Sequence, residues 1–134
     1  SIIKDVPAER LSFLESLRQQ YRVCLLSNTN PFIMEWAAHP DFCGTGHSLN
    51  AYFDHFFLSY KMRCVKPDAA IFEKVLAELN EKPGEILFID DGQANIKMGQ
   101  QMGMITYMPV NGANWVPDIQ KLLANSVTSL NKSR

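Results

Sequence analysis

The sequence lacks most of the features that assign a chain to a class at sight. It has no excess of positive charge: 13 Lys and Arg stand against 14 Asp and Glu, a net charge of -1. That leaves no electrostatic footprint for nucleic acid or an anionic membrane. No apolar run approaches the roughly 18 to 20 residues of a membrane span. The three cysteines, Cys24, Cys43 and Cys64, form no C-x-x-C pair. Their odd number and spacing argue against a disulfide framework and a zinc site, and point to a reducing, cytoplasmic setting. His39, His47 and His55 are spaced by eight, with no H-x-x-x-H pair, so they give no metal-ligand spacing. No G-x-G-x-x-G follows any candidate strand, which argues against a dinucleotide-binding Rossmann domain. Internal repeats and low-complexity linkers are also missing.

What is present is an ordinary globular composition, 46% hydrophobic and 20% charged over 134 residues, enough for one domain with a real core. The spacing of Leu11, Phe13, Leu14 and Leu17 predicts a helix from about Pro7 to Gln20. Arg22 to Leu26 reads as a strand, with Cys24 a small core residue. It ends in the polar run Ser27-Asn28-Thr29-Asn30, before Pro31 opens another helix. That run suits helix capping. It equally suits an anion site, where hydroxyl, amide and backbone N–H groups converge. From Glu35 to Leu49 the pattern dissolves into loop.

A second strand is expected near Phe56 to Ser59. Lys61 to Val65 then bridges to Lys66-Pro67-Asp68, where Pro67 starts a helix with the apolar face Ile71, Phe72, Val75, Leu76 and Leu79. Lys66 therefore precedes a helix N-terminus, an unfavourable place for a cation unless something negative is bound there. Pro83-Gly84 turns into a strand at 86–90, four apolar residues read as buried on both faces. A helix follows from about Ala94 to Met102, with Gly99 allowing close packing on the sheet and Gly103 ending it. Met104 to Met108 is a further strand. Asn111-Gly112 is a turn, and a last helix runs from about Pro117 to Leu123. The domain is expected to span 1–124, with a polar tail at 125–134.

Alternating strands and helices imply an α/β fold with a parallel sheet. In such a sheet, ligands bind at the carboxyl ends of strands. Ser27, Lys66, Asp90 and Asp91 come from those ends. Asp90 and Asp91 are adjacent like charges, which repel unless a cation lies between them. A hydroxyl and a lysine for phosphoryl oxygens, with two carboxylates for magnesium, suggest phosphate chemistry.

In this order the residues resemble the haloacid dehalogenase (HAD) superfamily. Leu25-Leu26-Ser27-Asn28-Thr29 looks like the second motif, Lys66-Pro67-Asp68 like the third, and Phe88-Ile89-Asp90-Asp91 like the fourth. Asn95-Ile96 and Gly103 extend the similarity. The subgroup that Ser-Asn-Thr-Asn and Lys-Pro-Asp resemble most is that of small sugar-phosphate phosphatases, such as glucose-1-phosphate phosphatase. The resemblance implies a Rossmannoid three-layer α/β/α core of strand order 3-2-1-4-5. It also implies magnesium-dependent hydrolysis of a small phosphorylated metabolite through an aspartyl-phosphate. Ser27 and Asn28 would hold the substrate phosphate, Lys66 would bridge phosphate and nucleophile, and Asp90 and Asp91 would position magnesium, with Ser27, Asn28, Lys66 and Asp90 catalytic.

The family's first motif, Asp-x-Asp on the first and central strand, has no match among Asp5, Asp41, Asp54, Asp68, Asp90, Asp91 and Asp118. The chain is therefore expected to be part of a longer protein. The nucleophile, the central strand and the substrate-selecting cap would lie in a missing N-terminal segment, and this chain alone would be inactive. Strands 22–26 and 86–90 would each lack their shared neighbour. Two other readings share the fold. A dehalogenase needs no metal, so the acidic pair speaks for the phosphatase. A non-catalytic HAD-like binding module fits the chain taken alone.

Overall fold

The structure, a computed structural model, describes residues 8–37, 51–110 and 114–133. It divides into two units, Ser1–Lys66 and Pro67–Arg134. Pro7, His39, Cys43, His47, the Gly44-Thr45-Gly46 stretch and the Asn111-Gly112 turn lie outside the described residues.

In the first unit, helix α1 (Ala8–Leu17) turns Phe13, Leu14 and Leu17 to half-buried positions. Strand β1 (Cys24–Ser27) starts later than the apolar run suggests and takes in Ser27 as its last residue. It pairs in parallel with β2 (His55–Leu58), from Cys24↔His55 to Ser27↔Leu58. Between them, α2 (Pro31–Ala37) begins on its proline. Asn30 Oδ1 accepts the Ile33 N–H at 3.0 Å, an N-cap bond. The capping reading of the Ser-Asn-Thr-Asn run therefore belongs to Asn30.

Tyr52 and Phe53 are the buried centre of this unit, packed with Leu14, Val23, Leu25, Met34 and Phe56. Phe53 and Phe56 meet edge to face at 5.7 Å. At the entry to the strands, Arg18 pairs with Asp54 at 2.8 Å and donates to the Ala51 carbonyl at 2.7 Å. The Asp54 carboxylate also accepts the Val23 N–H at 2.8 Å. Desolvation pushes the Asp54 carboxyl up, but the Val23 hydrogen bond, the Arg18 hydrogen bond and charge, and the charge of His55 together outweigh it. The group is held below the ordinary carboxylate value. After β2 comes an element the sequence pattern did not show, the single turn α3 (Ser59–Met62). It is closed by Arg63 in the left-handed region at φ 58.

In the second unit, α4 (Ala69–Leu79) starts two residues after the expected Pro67, with Asp68 as N-cap. The helix buries Ile71, Phe72, Val75 and Leu79, the predicted face, with Leu76 half-buried beside them. It ends at Asn80 in the left-handed region, a position asparagine tolerates. A 3-10 turn at Pro83–Glu85 leads to β3 (Leu87–Ile89). Next come α5 (Gln93–Gln101), β4 (Ile105–Tyr107) and α6 (Val116–Ser133), the last much longer than its apolar pattern. Strands β3 and β4 are parallel, Leu87↔Ile105 to Ile89↔Tyr107.

Gly99 of α5 sits against β3 and β4. A Cβ there would come 2.8 Å from the Phe88 ring and 3.3 Å from the Thr106 methyl, so helix and sheet touch only because the side chain is absent. Gly103, at φ 90, takes the conformation that ends the helix. Phe72 meets Phe88 edge to face at 5.3 Å. One expectation fails here. Leu87, Phe88 and Ile89 are half-buried rather than enclosed on both faces, and among the described residues β3 pairs with β4 alone.

The described strands thus form two parallel pairs, β1 with β2 and β3 with β4, rather than one sheet of four. Their connectivity is the expected α/β pattern. No described helix is long and apolar enough to cross a membrane.

Candidate functional site

Three described polar or charged residues are buried, Ser27, Ser59 and Lys66 at 4%, 6% and 7% exposure, and all belong to the first unit. Burial of polar groups is unfavourable unless each finds partners, so their clustering calls for a cause. Ser27 closes β1, Ser59 follows the last residue of β2, and Lys66 ends the unit.

The Asn28 side chain ties two of these segments together. Its Oδ1 accepts the Lys66 N–H at 2.9 Å, and its Nδ2 donates to the Lys66 carbonyl at 3.1 Å. An amide side chain thereby pairs with a backbone as a neighbouring strand would. Asn28, expected to bind phosphate, engages its amide with the Lys66 backbone. One residue on, the Thr29 N–H donates to Ser59 Oγ at 3.0 Å, and Ser59 Oγ donates to the Thr29 carbonyl at 3.1 Å. The Thr29 hydroxyl itself is buried with no hydrogen-bond partner among the described residues. Such an orphan costs about 1–3 kcal/mol unless a ligand or water meets it. The structure thus brings Ser27, Asn28 and Lys66 into one cluster, and adds Thr29 and Ser59.

The second unit holds the acidic pair. Asp90 follows the last residue of β3, and its N–H extends the ladder by donating to the Tyr107 carbonyl at 3.3 Å. Asp90 Oδ1 accepts the Gly92 N–H at 2.7 Å, an Asx turn, and the Asn95 amide at 3.2 Å. A Cβ at Gly92 would lie 2.8 Å from Asn95 Nδ2 and 3.1 Å from Asp90 Oδ1, so a side chain there would push on the Asn95 amide. Asp90 is half-buried and Asp91 exposed.

Among the described residues no three His, Cys, Asp or Glu side chains converge as metal ligands. Zinc and calcium cages need more protein ligands than these two carboxylates supply. Magnesium takes one or two carboxylates and completes its shell with water and substrate phosphate, so the Asp90-Asp91 donor set fits magnesium.

One residue with a part in these clusters, Ser59, was not singled out in the sequence, and a second, Asn95, was marked only through the family resemblance. Ser59 reads as the end of a strand, and no local signal marks it. Asn95 had a faint signal, an asparagine in the first turn of the helix that follows the acidic pair.

The haloacid dehalogenase-like hydrolase profile matches residues 4–103. A D-ribitol-5-phosphate phosphatase of Bacteroides thetaiotaomicron is 41% identical over 119 residues, covering 89% of this chain and 58% of the relative. A predicted HAD-like family hydrolase from Porphyromonas gingivalis superposes with a TM-score of 0.84 at 42% identity, over 90% of this chain and 58% of that one. A HAD-family enzyme from B. thetaiotaomicron, solved with magnesium and inorganic phosphate, gives a TM-score of 0.76 at 38% identity, over 83% and 56%. This chain thus spans somewhat over half the length of these relatives. The profile match covers most of the sequence, and the motifs and parallel strand pairs agree with it: the chain belongs to the haloacid dehalogenase-like hydrolase family.

Proposed function

We propose that this chain is the phosphate- and metal-handling part of a magnesium-dependent phosphatase of small phosphorylated metabolites, of the sugar- or polyol-phosphate kind. The aspartate nucleophile belongs to residues outside this chain, and turnover runs through an aspartyl-phosphate on it. The observation that carries the reading is the burial of Ser27 and Lys66, with the Asn28 amide bonded to the Lys66 backbone. A cation and a hydroxyl held at little exposure, Lys66 and Ser27, are residue types suited to phosphoryl oxygens. The relative named for D-ribitol-5-phosphate supports the substrate class, and the magnesium and phosphate complex of a second relative supports the metal.

In this reading Ser27 donates to a phosphoryl oxygen, and Lys66 offsets its negative charge and orients it toward the nucleophile. Asn28 keeps Lys66 in place through its backbone. Asp90 and Asp91 hold magnesium, with Gly92 and Asn95 fixing the Asp90 carboxylate. Bound magnesium supplies charge neutralisation at the phosphoryl group. Phosphoryl transfer depends chiefly on such positioning and charge stabilisation. The cysteine pattern supports a cytoplasmic setting.

The test is phosphate release from a panel of sugar and polyol phosphates by the intact parent protein with magnesium. Asp90→Ala and Lys66→Ala are expected to lower kcat by on the order of 100- to 1,000-fold, the scale of losing one charge-stabilising group. Unchanged kcat in both removes the site assignment. A parent with no turnover on any ester favours a non-catalytic binding module.

A further inference from the structure

We infer that Ser59 is a positioning residue, one that sets the loop Ser27-Asn28-Thr29 for phosphate without touching it; this rests on the phosphatase reading above. A serine at the first position of a helix ordinarily serves that helix, by capping or by bonding a neighbouring turn. Ser59 does neither in the hydrogen bonds of the structure. It opens α3, whose N-cap residue Leu58 makes no side-chain cap bond. Its hydroxyl instead reaches Thr29, 30 residues away, and serves as both acceptor and donor there.

The register explains why. The β1–β2 ladder ends at Ser27↔Leu58. Beyond it the chain after β2 coils into α3, so the backbone can no longer pair with the loop after β1. The Ser59 hydroxyl takes over that pairing, offering an acceptor to the Thr29 N–H and a donor to its carbonyl. Asn28 makes the same pair of hydrogen bonds with Lys66 one residue earlier, accepting from its N–H and donating to its carbonyl. The loop following Ser27 is thereby held at two successive residues by two side-chain clasps.

Without the Ser59 clasp, Thr29 can rotate its peptide groups, and Ser27 and Asn28 shift with them. A misplacement of about 1 Å at a phosphoryl-transfer site costs on the order of 100-fold in rate.

The experiment uses the intact parent protein, p-nitrophenyl phosphate with magnesium as substrate, and inorganic phosphate as competing inhibitor, well below the unfolding midpoint. Ser59→Ala is expected to lower kcat/KM about 10- to 100-fold and to weaken inhibition by phosphate about tenfold, by the same misplacement argument. Ser59→Thr, which keeps the hydroxyl, is expected to recover most of both. Should Ser59→Ala not fold, Ser59→Cys gives the same comparison, since a thiol fills the space but bonds weakly. Wild-type kcat, KM and phosphate inhibition in a folded Ala or Cys variant, with only a lower unfolding midpoint, overturns the inference and leaves a structural serine. An active wild type with unaltered variants sinks this inference alone. An inactive wild type sinks the phosphatase reading, and this inference with it.

Discussion

The two units solve one problem in different ways. Each carries a parallel strand pair, and each must hold polar residues at the carboxyl end of a strand. The second unit does so locally: the Asp90 carboxylate is fixed by Gly92 and Asn95, two and five residues away. The first does so at long range: Asn28 bonds Lys66 across 38 residues, and Ser59 bonds Thr29 across 30. A local turn forms with little loop-closure entropy, whereas a long-range clasp depends on the fold around it being in place. The acidic turn should therefore survive damage elsewhere in its unit better than the loop after β1 survives damage to β2 or α3.

The largest blow to this contrast is in the packing of the second unit. Phe72 is fully buried and meets Phe88 edge to face. Phe72→Ala is expected to destabilise that unit by about 3–5 kcal/mol, measured by urea unfolding. If the Asp90–Gly92 turn is as self-sufficient as its local bonds imply, the Gly92 amide resonance should keep its position in the folded fraction of the variant. A Gly92 resonance that moves with the core would break the distinction between local and long-range support.

The two clasping asparagines give the direct comparison. Asn28→Ala leaves the Lys66 N–H and carbonyl without their partner in a part-buried place, and is expected to cost about 1–3 kcal/mol. Asn95→Ala removes one bond to an oxygen that Gly92 still serves, and is expected to cost about 0.5–1.5 kcal/mol. Equal effects in denaturant unfolding would deny that the long-range bond matters more.

Gly99 sharpens the comparison from the helix side. Gly99→Ala adds a Cβ 2.8 Å from Phe88, and such overpacking costs about 1–3 kcal/mol. Better helix propensity returns up to about 1 kcal/mol. A net loss of about 1 kcal/mol is expected, and a gain would mean that Phe88 yields.

What the sequence displayed and what it hid divide along the same line. The face of α4, the role of Gly99, Gly103 as a helix stop and the acidic pair after a strand are all marked by neighbours within a turn or two. Ser27, Lys66, Asp90 and Asp91 could be proposed as site residues from the sequence for that reason. Ser59 was not, because its partner is 30 residues away and its hydroxyl bonds a backbone, which carries no residue identity. The turn α3 was hidden too, since Arg63 takes a left-handed conformation without the glycine that usually announces one. Half-burial of β3 was missed because an apolar run records what a strand can bury, not which neighbours it has.

The smallest expected effect belongs to the ion pair at the entry to the strands, and it has a definite sign. Asp54 is held below the ordinary carboxylate value in the folded state. Its contribution is therefore fully present above the unfolded value of about 3.9, and is lost as pH falls through the lower folded value. The pair is largely solvent-facing, so its worth is under about 1 kcal/mol. Arg18→Ala removes the side-chain hydrogen bond and charge that oppose desolvation, but leaves the Val23 N–H in place. Stability of the variant between pH 5 and pH 3, followed by urea midpoints, should fall less steeply than in the wild type, because less of a gap is left between its folded and unfolded carboxyl. With the Arg18 partner gone, the folded carboxyl takes its proton at a higher pH. Parallel curves would mean that Val23 alone sets the Asp54 charge. Support in this corner of the first unit would then be backbone-borne, unlike the clasps at the other end of the same strands.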